Sequence, residues 1–121
     1  MIHTSPSYRT EIRTAMRGGE GDVRIEHLFE PGTELLAPTR MLSRITLKPG
    51  CSIGFHRHEG EEECFHLISG AAEADDDGRK VILRAGDSIL TGNGAGHAIR
   101  NIGSEDLVLL AVIVKYPEAN R

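Results

Sequence analysis

Tryptophan is absent from this chain, aromatic residues make up only 4% of it, and just two cysteines, Cys51 and Cys64, occur in 121 residues. With so few rings, aliphatic side chains must fill any core. Two cysteines cannot form a disulfide framework, and each reads as a small hydrophobe rather than a redox or metal group. No apolar run approaches the roughly 20 residues that cross a bilayer as a helix; the longest, Leu107–Val114, has eight. The stretch MIHTSPSYRTEIRT at the N-terminus carries no secretory-type apolar segment. With two free thiols as well, the expectation is a cytoplasmic protein with no membrane partner. A net charge of −4 denies the chain the basic face that a nucleic acid needs. It also has no glycine-rich phosphate loop, no serine nucleophile elbow and no paired CxxC.

What is present is the composition of a packed domain: 39% hydrophobic and 26% charged residues. A chain of this length fits one domain and buries roughly two thirds of its unfolded surface without a staple. Helical periodicity is scarce. Residues 8–17 are expected to hold a short helical turn, ended by Gly18, Gly19 and Gly21. They belong to an N-terminal segment, 1–21, that precedes a barrel over 22–116 and a tail over 117–121. Beyond Gly21 the chain reads as short strands: 22–29, 40–48, 52–58, 63–69, 80–83, 88–91, 97–102 and 107–116. Pro49-Gly50, Gly70 and the Asp75-Asp76-Asp77-Gly78 run mark turns between them. Such spacing predicts an all-β sandwich or barrel, and no βαβ rhythm suggests a parallel nucleotide-binding sheet.

A strand with one wet face alternates, but LVLLAVIV over 107–114 does not. Unbroken apolar character means that both faces are covered. One face meets the core of so small a domain, and a second copy of the chain is the expected cover for the other. The sequence therefore predicts a homodimer.

Six histidines are present, three of them between 56 and 66 in the stretch GCSIGFHRHEGEEECFHLISG. Residues two apart on a strand share a face, so His56 and His58 point the same way. A hairpin from 52–58 into the strand that begins near Glu62-Glu63 would bring a carboxylate beside them. Two imidazoles and a carboxylate on one concave face suit Fe, Mn, Ni, Cu or Zn. An isolated HxH among glutamates reads more simply as a solvated loop.

A second stretch, GDSILTGNGAGHAIRN over 86–101, changes that balance. Together the two stretches closely resemble the paired motifs of the cupin superfamily. Gly50, His56, His58, Glu63 and Gly70 match the first motif, and Gly86, Gly94, His97 and Asn101 match the second. Gly92 stands where the family usually has proline, a departure that touches loop rigidity and no ligand. The resemblance implies a single-domain jelly-roll β-barrel, a double-stranded β-helix. It also implies one divalent transition metal (Mn, Fe, Ni or Zn) held by His56, His58, Glu63 and His97. On that pattern Phe65 and Leu67 share the inward face of Glu63, while Glu59, Glu61 and Glu62 are solvated turn charges. His3, His27 and His66 carry no spacing argument for a role, and Asn101 is expected to brace a turn.

Among the guanidinium groups Arg40, Arg44 and Arg100, Arg44 is the leading candidate to read a substrate, with Phe65 beside it. Oxalate decarboxylases of the superfamily carry an arginine three residues before the first metal histidine; Ile53 stands there in this chain. The implied function is binding of one small polar ligand, a carboxylate or sugar-derived molecule, at the metal. The expected activity is that of a metalloenzyme, an isomerase or lyase of unspecified reaction; the alternatives are an iron and O₂ dioxygenase and a non-catalytic small-molecule-binding protein.

Overall fold

The computed structural model describes residues 1–118; the expected tail over 117–121 lies, from 119 on, outside the described residues. Ten strands run in order: β1 (Arg9–Thr14), β2 (Asp22–His27), β3 (Thr39–Leu47), β4 (Ser52–Arg57), β5 (Glu61–Ser69), β6 (Ala71–Asp76), β7 (Arg79–Arg84), β8 (Ser88–Gly92), β9 (Gly96–Asn101) and β10 (Leu107–Lys115). Short 3₁₀ turns occur at Ser5–Ser7 and Met16–Gly18. All the strand pairings are antiparallel. Six strands form one sheet in the order β1-β2-β3-β10-β5-β8, and four form the other in the order β4-β9-β6-β7. This is the expected all-β jelly roll, in which two faced sheets bury their inner sides against each other.

The sheets do not close into a barrel: no ladder joins their edges among the described residues. Beside β4 the gap is filled by the 15–21 loop, whose Glu20 carbonyl accepts from Ser52 N at 2.8 Å while Ser52 Oγ accepts from Glu20 N at 2.9 Å. Two expectations of local structure are also corrected. Residues 9–14 form a strand rather than a helical turn, because pairing with β2 throughout their length overrides weak local periodicity. The segment 71–76, AAEADD, is a strand too, although its composition argues against one. It lies between β9 and β7, whose ladders supply what its propensity lacks. The β6–β7 hairpin turns through Asp77 and Gly78, at φ 50° and 101°, the left-handed pair that matches strand twist.

Alternation along each strand builds the core. Val23 and Ile25 on β2, Ile45 and Leu47 on β3, Phe65 and Leu67 on β5, and Leu107, Leu109 and Ala111 on β10 are all buried. Ile53, Ala72, Ala74 and Ile99 close it from the smaller sheet. β10 lies between β3 and β5, which accounts for its unbroken apolar run: Leu107, Leu109, Ala111 and Ile113 face inward, while Val108, Leu110 and Val112 are half-buried on the outer face. The Pro49-Gly50 turn forms as the sequence indicates, with Gly50 at φ 81° and Cys51 N donating to Lys48 O at 3.0 Å.

Candidate metal centre

β4 and β5 do not form the hairpin expected of them. They belong to different sheets, and Glu63 reaches the histidines across the interior rather than along a ladder. His97 is delivered from β9, whose register sets it opposite His56. The four side chains of His56, His58, Glu63 and His97 nevertheless converge, with one donor atom of each within 4.8 Å of all the others. His58, Glu63 and His97 are buried, and His56 is nearly so.

The separations test whether one ion fits. Bonds of about 2.1 Å to an octahedral metal place adjacent donors about 3.0 Å apart and opposite donors about 4.2 Å apart. His58 Nε2 lies 3.1 Å from His97 Nε2, and His97 Nε2 lies 3.2 Å from His56 Nε2. Glu63 Oε1 is 2.9 Å from His58 Nε2 and 3.0 Å from His97 Nε2, but 4.0 Å from His56 Nε2. These separations, with all four donors within 4.8 Å of one another, are those of side chains that could share one metal ion.

Outer partners orient these rings. His56 Nδ1 lies 2.8 Å from the carbonyl of Gly54, which can only accept, so that nitrogen carries the proton and Nε2 keeps its lone pair. His58 Nδ1 lies 2.6 Å from Glu61 Oε2. Glu61 is thus not the solvated turn charge expected of it. Its carboxylate also accepts from Arg40 Nε and Nη2 at 2.7 and 2.8 Å, and that pairing, ahead of the opposing effect of burial, holds its pKa down at about 2. A carboxylate–histidine pair of this kind fixes a ligand ring and its tautomer. Phe65 stacks on His97 with ring centroids 4.6 Å apart and planes 8° from parallel. The Nδ1 atom of His97 is buried and has no hydrogen-bond partner.

Burial shapes the charges. It pulls the His56 imidazole below its ordinary pKa. At His58 burial acts the same way, but hydrogen bonds to Glu63 and Glu61 outweigh it and raise the value. For Glu63, burial pushes upward and is outweighed by hydrogen bonds from His58 and His97, so the carboxylate stays ionised.

A cavity of about 50 Å³ opens onto the cluster, lined by His56, His58, Glu63 and Phe65, by the apolar Met41, Ile45 and Ile53, and by the arginines Arg13, Arg17 and Arg40. Phe65 is where the sequence places it. Arg44 is not brought to this site. Strand parity puts it on the outer face of β3, where its guanidinium is held by Glu26 at 2.7 and 3.0 Å and touches Ser5. Arg40, of the same parity, does reach the cavity, because the β3–β10 register shifts there: Met41 pairs with Ile113 and Thr39 with Val114, leaving Arg40 as the extra residue of a bulge. Arg13 and Arg17 went unnoticed because they lie in the segment read as helical. His66 is exposed and bonds Ser88, His3 bonds Glu34, and His27 is buried against Ser43. Arg100 donates to the Gly50 carbonyl. Asn101 braces the Gly50 and 103–105 turns through bonds to Leu47 O, Glu105 O and Gly103 N.

Residues 43–113 match the family described as Cupin domain. The oxalate-binding protein of Thermotoga maritima is 38% identical over 114 residues, 94% of this chain and 93% of that protein. The crystal structure of a predicted oxalate decarboxylase from the same organism superposes with a TM-score of 0.90 at 37% identity, covering 96% of this chain and all of that one. The polyketide cyclase RemF from Streptomyces resistomycificus shares the fold, with a TM-score of 0.75 at 16% identity, over 95% of this chain and 78% of its own. Among the described residues, no helix is long and apolar enough to cross a membrane.

Proposed function

The chain belongs to the cupin family, and from that premise we propose that it holds one divalent transition metal through His56, His58, Glu63 and His97 and thereby binds a small carboxylate. The observation that carries this reading is the convergence of the four donor atoms, all within 4.8 Å of one another. Three imidazoles and a carboxylate are the donors that manganese, iron, nickel or zinc accept. Once bound, such an ion supplies positive charge and Lewis acidity to an oxygen ligand.

The protein's own groups define what enters. A cavity of about 50 Å³ has room for only a few atoms, since one water needs roughly 10–15 Å³ measured this way. That favours a molecule the size of a two-carbon dicarboxylate over a sugar ring. Arg13, Arg17 and Arg40 line the entrance, where Arg17 adds a positive charge, while Phe65, Met41, Ile45 and Ile53 exclude water around the ligand. The oxalate-binding relative supports the same ligand class. Decarboxylation by the route of the superfamily's oxalate decarboxylases is disfavoured, because Ile53 stands where those enzymes carry their arginine.

Elemental analysis of untagged protein is expected to give close to one transition metal per chain, falling sharply in His56→Ala. Calorimetry is expected to show oxalate binding to the metal-loaded protein and none after chelation. Full metal content in the His56→Ala variant overturns the assignment.

We also propose that a second copy covers the outer face of the larger sheet. Val108, Leu110 and Val112 are half-buried there, with exposed Leu90 close by, and the charge in their midst is neutralised by the Arg44–Glu26 pair. An apolar face whose charged groups are paired with one another suits a self-complementary dimer. Sedimentation at micromolar concentration should show a dimer, and a single monomer peak refutes it.

A further inference from the structure

Three guanidinium groups line the cavity, and they are not equivalent. Arg40 is bound bidentately to Glu61, and Arg13 donates to Glu11 at 2.7 Å. Arg17 makes no side-chain hydrogen bond or ion pair among the described residues. It is the one cation of the three whose charge is not already met by a carboxylate.

The backbone that presents it is strained and tightly held. Arg17 has φ 54° and ψ 30°, and Ala15, two residues earlier, has φ 53°. Left-handed conformations are uncommon for residues with a Cβ, and they persist only where the surroundings impose them. Here the 15–21 loop of the β1–β2 hairpin folds over the cavity and lies on β4, the strand that carries His56. Glycine permits the contact: a Cβ on Gly54 would sit 2.1 Å from Arg17 O, and one on Gly19 would sit 2.2 Å from Ser52 O. Hydrogen bonds between Ala15 N and Gly21 O, Gly18 N and Ala15 O, and Gly19 N and Met16 O close the loop on itself. Met16 packs its side chain against the core beneath it. A rigid, strained turn that carries an unpaired cation into a ligand cavity is the arrangement expected of a specificity contact.

We propose that Arg17 is the specificity-determining residue of the cavity, reading the outer oxygens of a dicarboxylate. The inference rests on the metal-held carboxylate reading given above. A two-carbon dianion that gave one oxygen of each carboxylate to the metal would leave two outer oxygens, side by side, with most of the remaining charge. That pair matches the planar fork of a guanidinium, whereas an ammonium meets it only as a point charge. A hydroxy-monocarboxylate of the same size offers one outer oxygen and gains less.

The test is calorimetric titration of Mn²⁺-loaded protein with oxalate and with glycolate, in wild type, Arg17→Gln, Arg17→Lys and the surface control Arg24→Gln. Metal content and melting temperature are measured on each. Arg17→Gln is expected to weaken oxalate binding by about 10–100-fold, the usual scale for a charged hydrogen bond. Its loss for glycolate should be smaller and its manganese content unchanged. Arg17→Lys should fall between, and Arg24→Gln should match wild type. Arg17→Gly, which relieves the left-handed strain, is expected to lose affinity without losing melting temperature, a combination that a merely structural role does not produce. Oxalate binding by Arg17→Gln equal to wild type overturns the role of Arg17 and leaves the site reading standing. Equal losses for oxalate and glycolate overturn the role in specificity. If manganese-loaded wild type takes up no oxalate, the site reading fails and the inference with it.

Discussion

Replacing Glu61 by Gln tests whether the cluster is built to hold a metal or merely packs together. The side chain of Glu61 is 13% exposed and joins two partners, His58 on one side and Arg40 on the other. Glutamine is nearly isosteric and keeps one carbonyl oxygen for His58 Nδ1–H, so the ring is not left unpaired. What it removes is the negative charge that makes that bond strong, and it turns an amide NH₂ towards the Arg40 fork. A hydrogen bond to a charged partner is worth about 1.5–3 kcal/mol against about 1 for a neutral one. That difference is about 0.5–2 kcal/mol, and with the basicity the carboxylate lends to Nε2 the expected loss is about 10–100-fold in metal affinity, the usual scale for such a partner. The assay is Zn²⁺ competition against a fluorescent chelator, with the neighbouring Glu62→Gln as control and circular dichroism to confirm the fold. Because Glu61 also helps to raise the pKa of His58, the proton competes less with the metal in the variant, so the loss should be larger at pH 8 than at pH 6.5. An affinity within twofold of wild type, in a variant that remains folded, refutes the orienting role.

Other expectations follow from the packing. Leu109→Ala removes a fully buried side chain from the central strand and should cost about 2–5 kcal/mol in urea unfolding; a loss below 1 kcal/mol contradicts the assigned core. Gly54→Ala forces a methyl group against Arg17 O at 2.1 Å, so the loop must lift. A loss of about 1–3 kcal/mol, with weaker oxalate binding at full metal content, is the expected result, and an unchanged melting curve counts against the contact. His27 is buried, its Nε2 lies 3.7 Å from Glu11 Oε2, and burial first, then the charge of Arg9, lowers its pKa against the pull of that carboxylate. Its neutral form is therefore favoured by folding, so the stability it contributes is complete above its unfolded value near 6.5 and is lost as pH falls through the lowered folded value. In protein kept metal-free with chelator, His27→Asn should show a smaller drop in melting temperature between pH 7.5 and 5.5 than wild type; equal drops refute that account.

Residue spacing carried most of the site. Gly50 through Gly70 and Gly86 through Asn101 located the four donor residues by motif, and period-two alternation placed Phe65 on the inner face. What it could not carry was anything that depends on how strands are distributed between sheets. His56 and Glu63 are seven residues apart, so a hairpin was the economical assumption, yet the jelly roll sends their strands to opposite walls. The same limit hid Glu61: in sequence it is one of a run of acids, and only the chain's return past Arg40 gives it partners. Parity failed for Arg40 because a bulge shifts the register by one residue, an event with no local signature in TRMLS. It held for Arg44, whose outward face excludes it from the cavity. β1 and β6 were missed because their pairing partners, not their own residues, make them strands.

The place of β10 has a consequence for how this molecule comes into being. It follows the other nine strands in the chain, yet it alone joins β1-β2-β3 to β5-β8. Synthesis runs from the N-terminus, so β3 and β5 are complete long before the strand that both must grip. Until residues 107–115 emerge, each presents an open edge of unpaired amides and carbonyls, the kind of edge that recruits other chains. The larger sheet is therefore finished in a single late step that zips one apolar strand between two waiting edges. Before that step the nascent chain depends on brevity of exposure, rather than on its native contacts, to stay unaggregated.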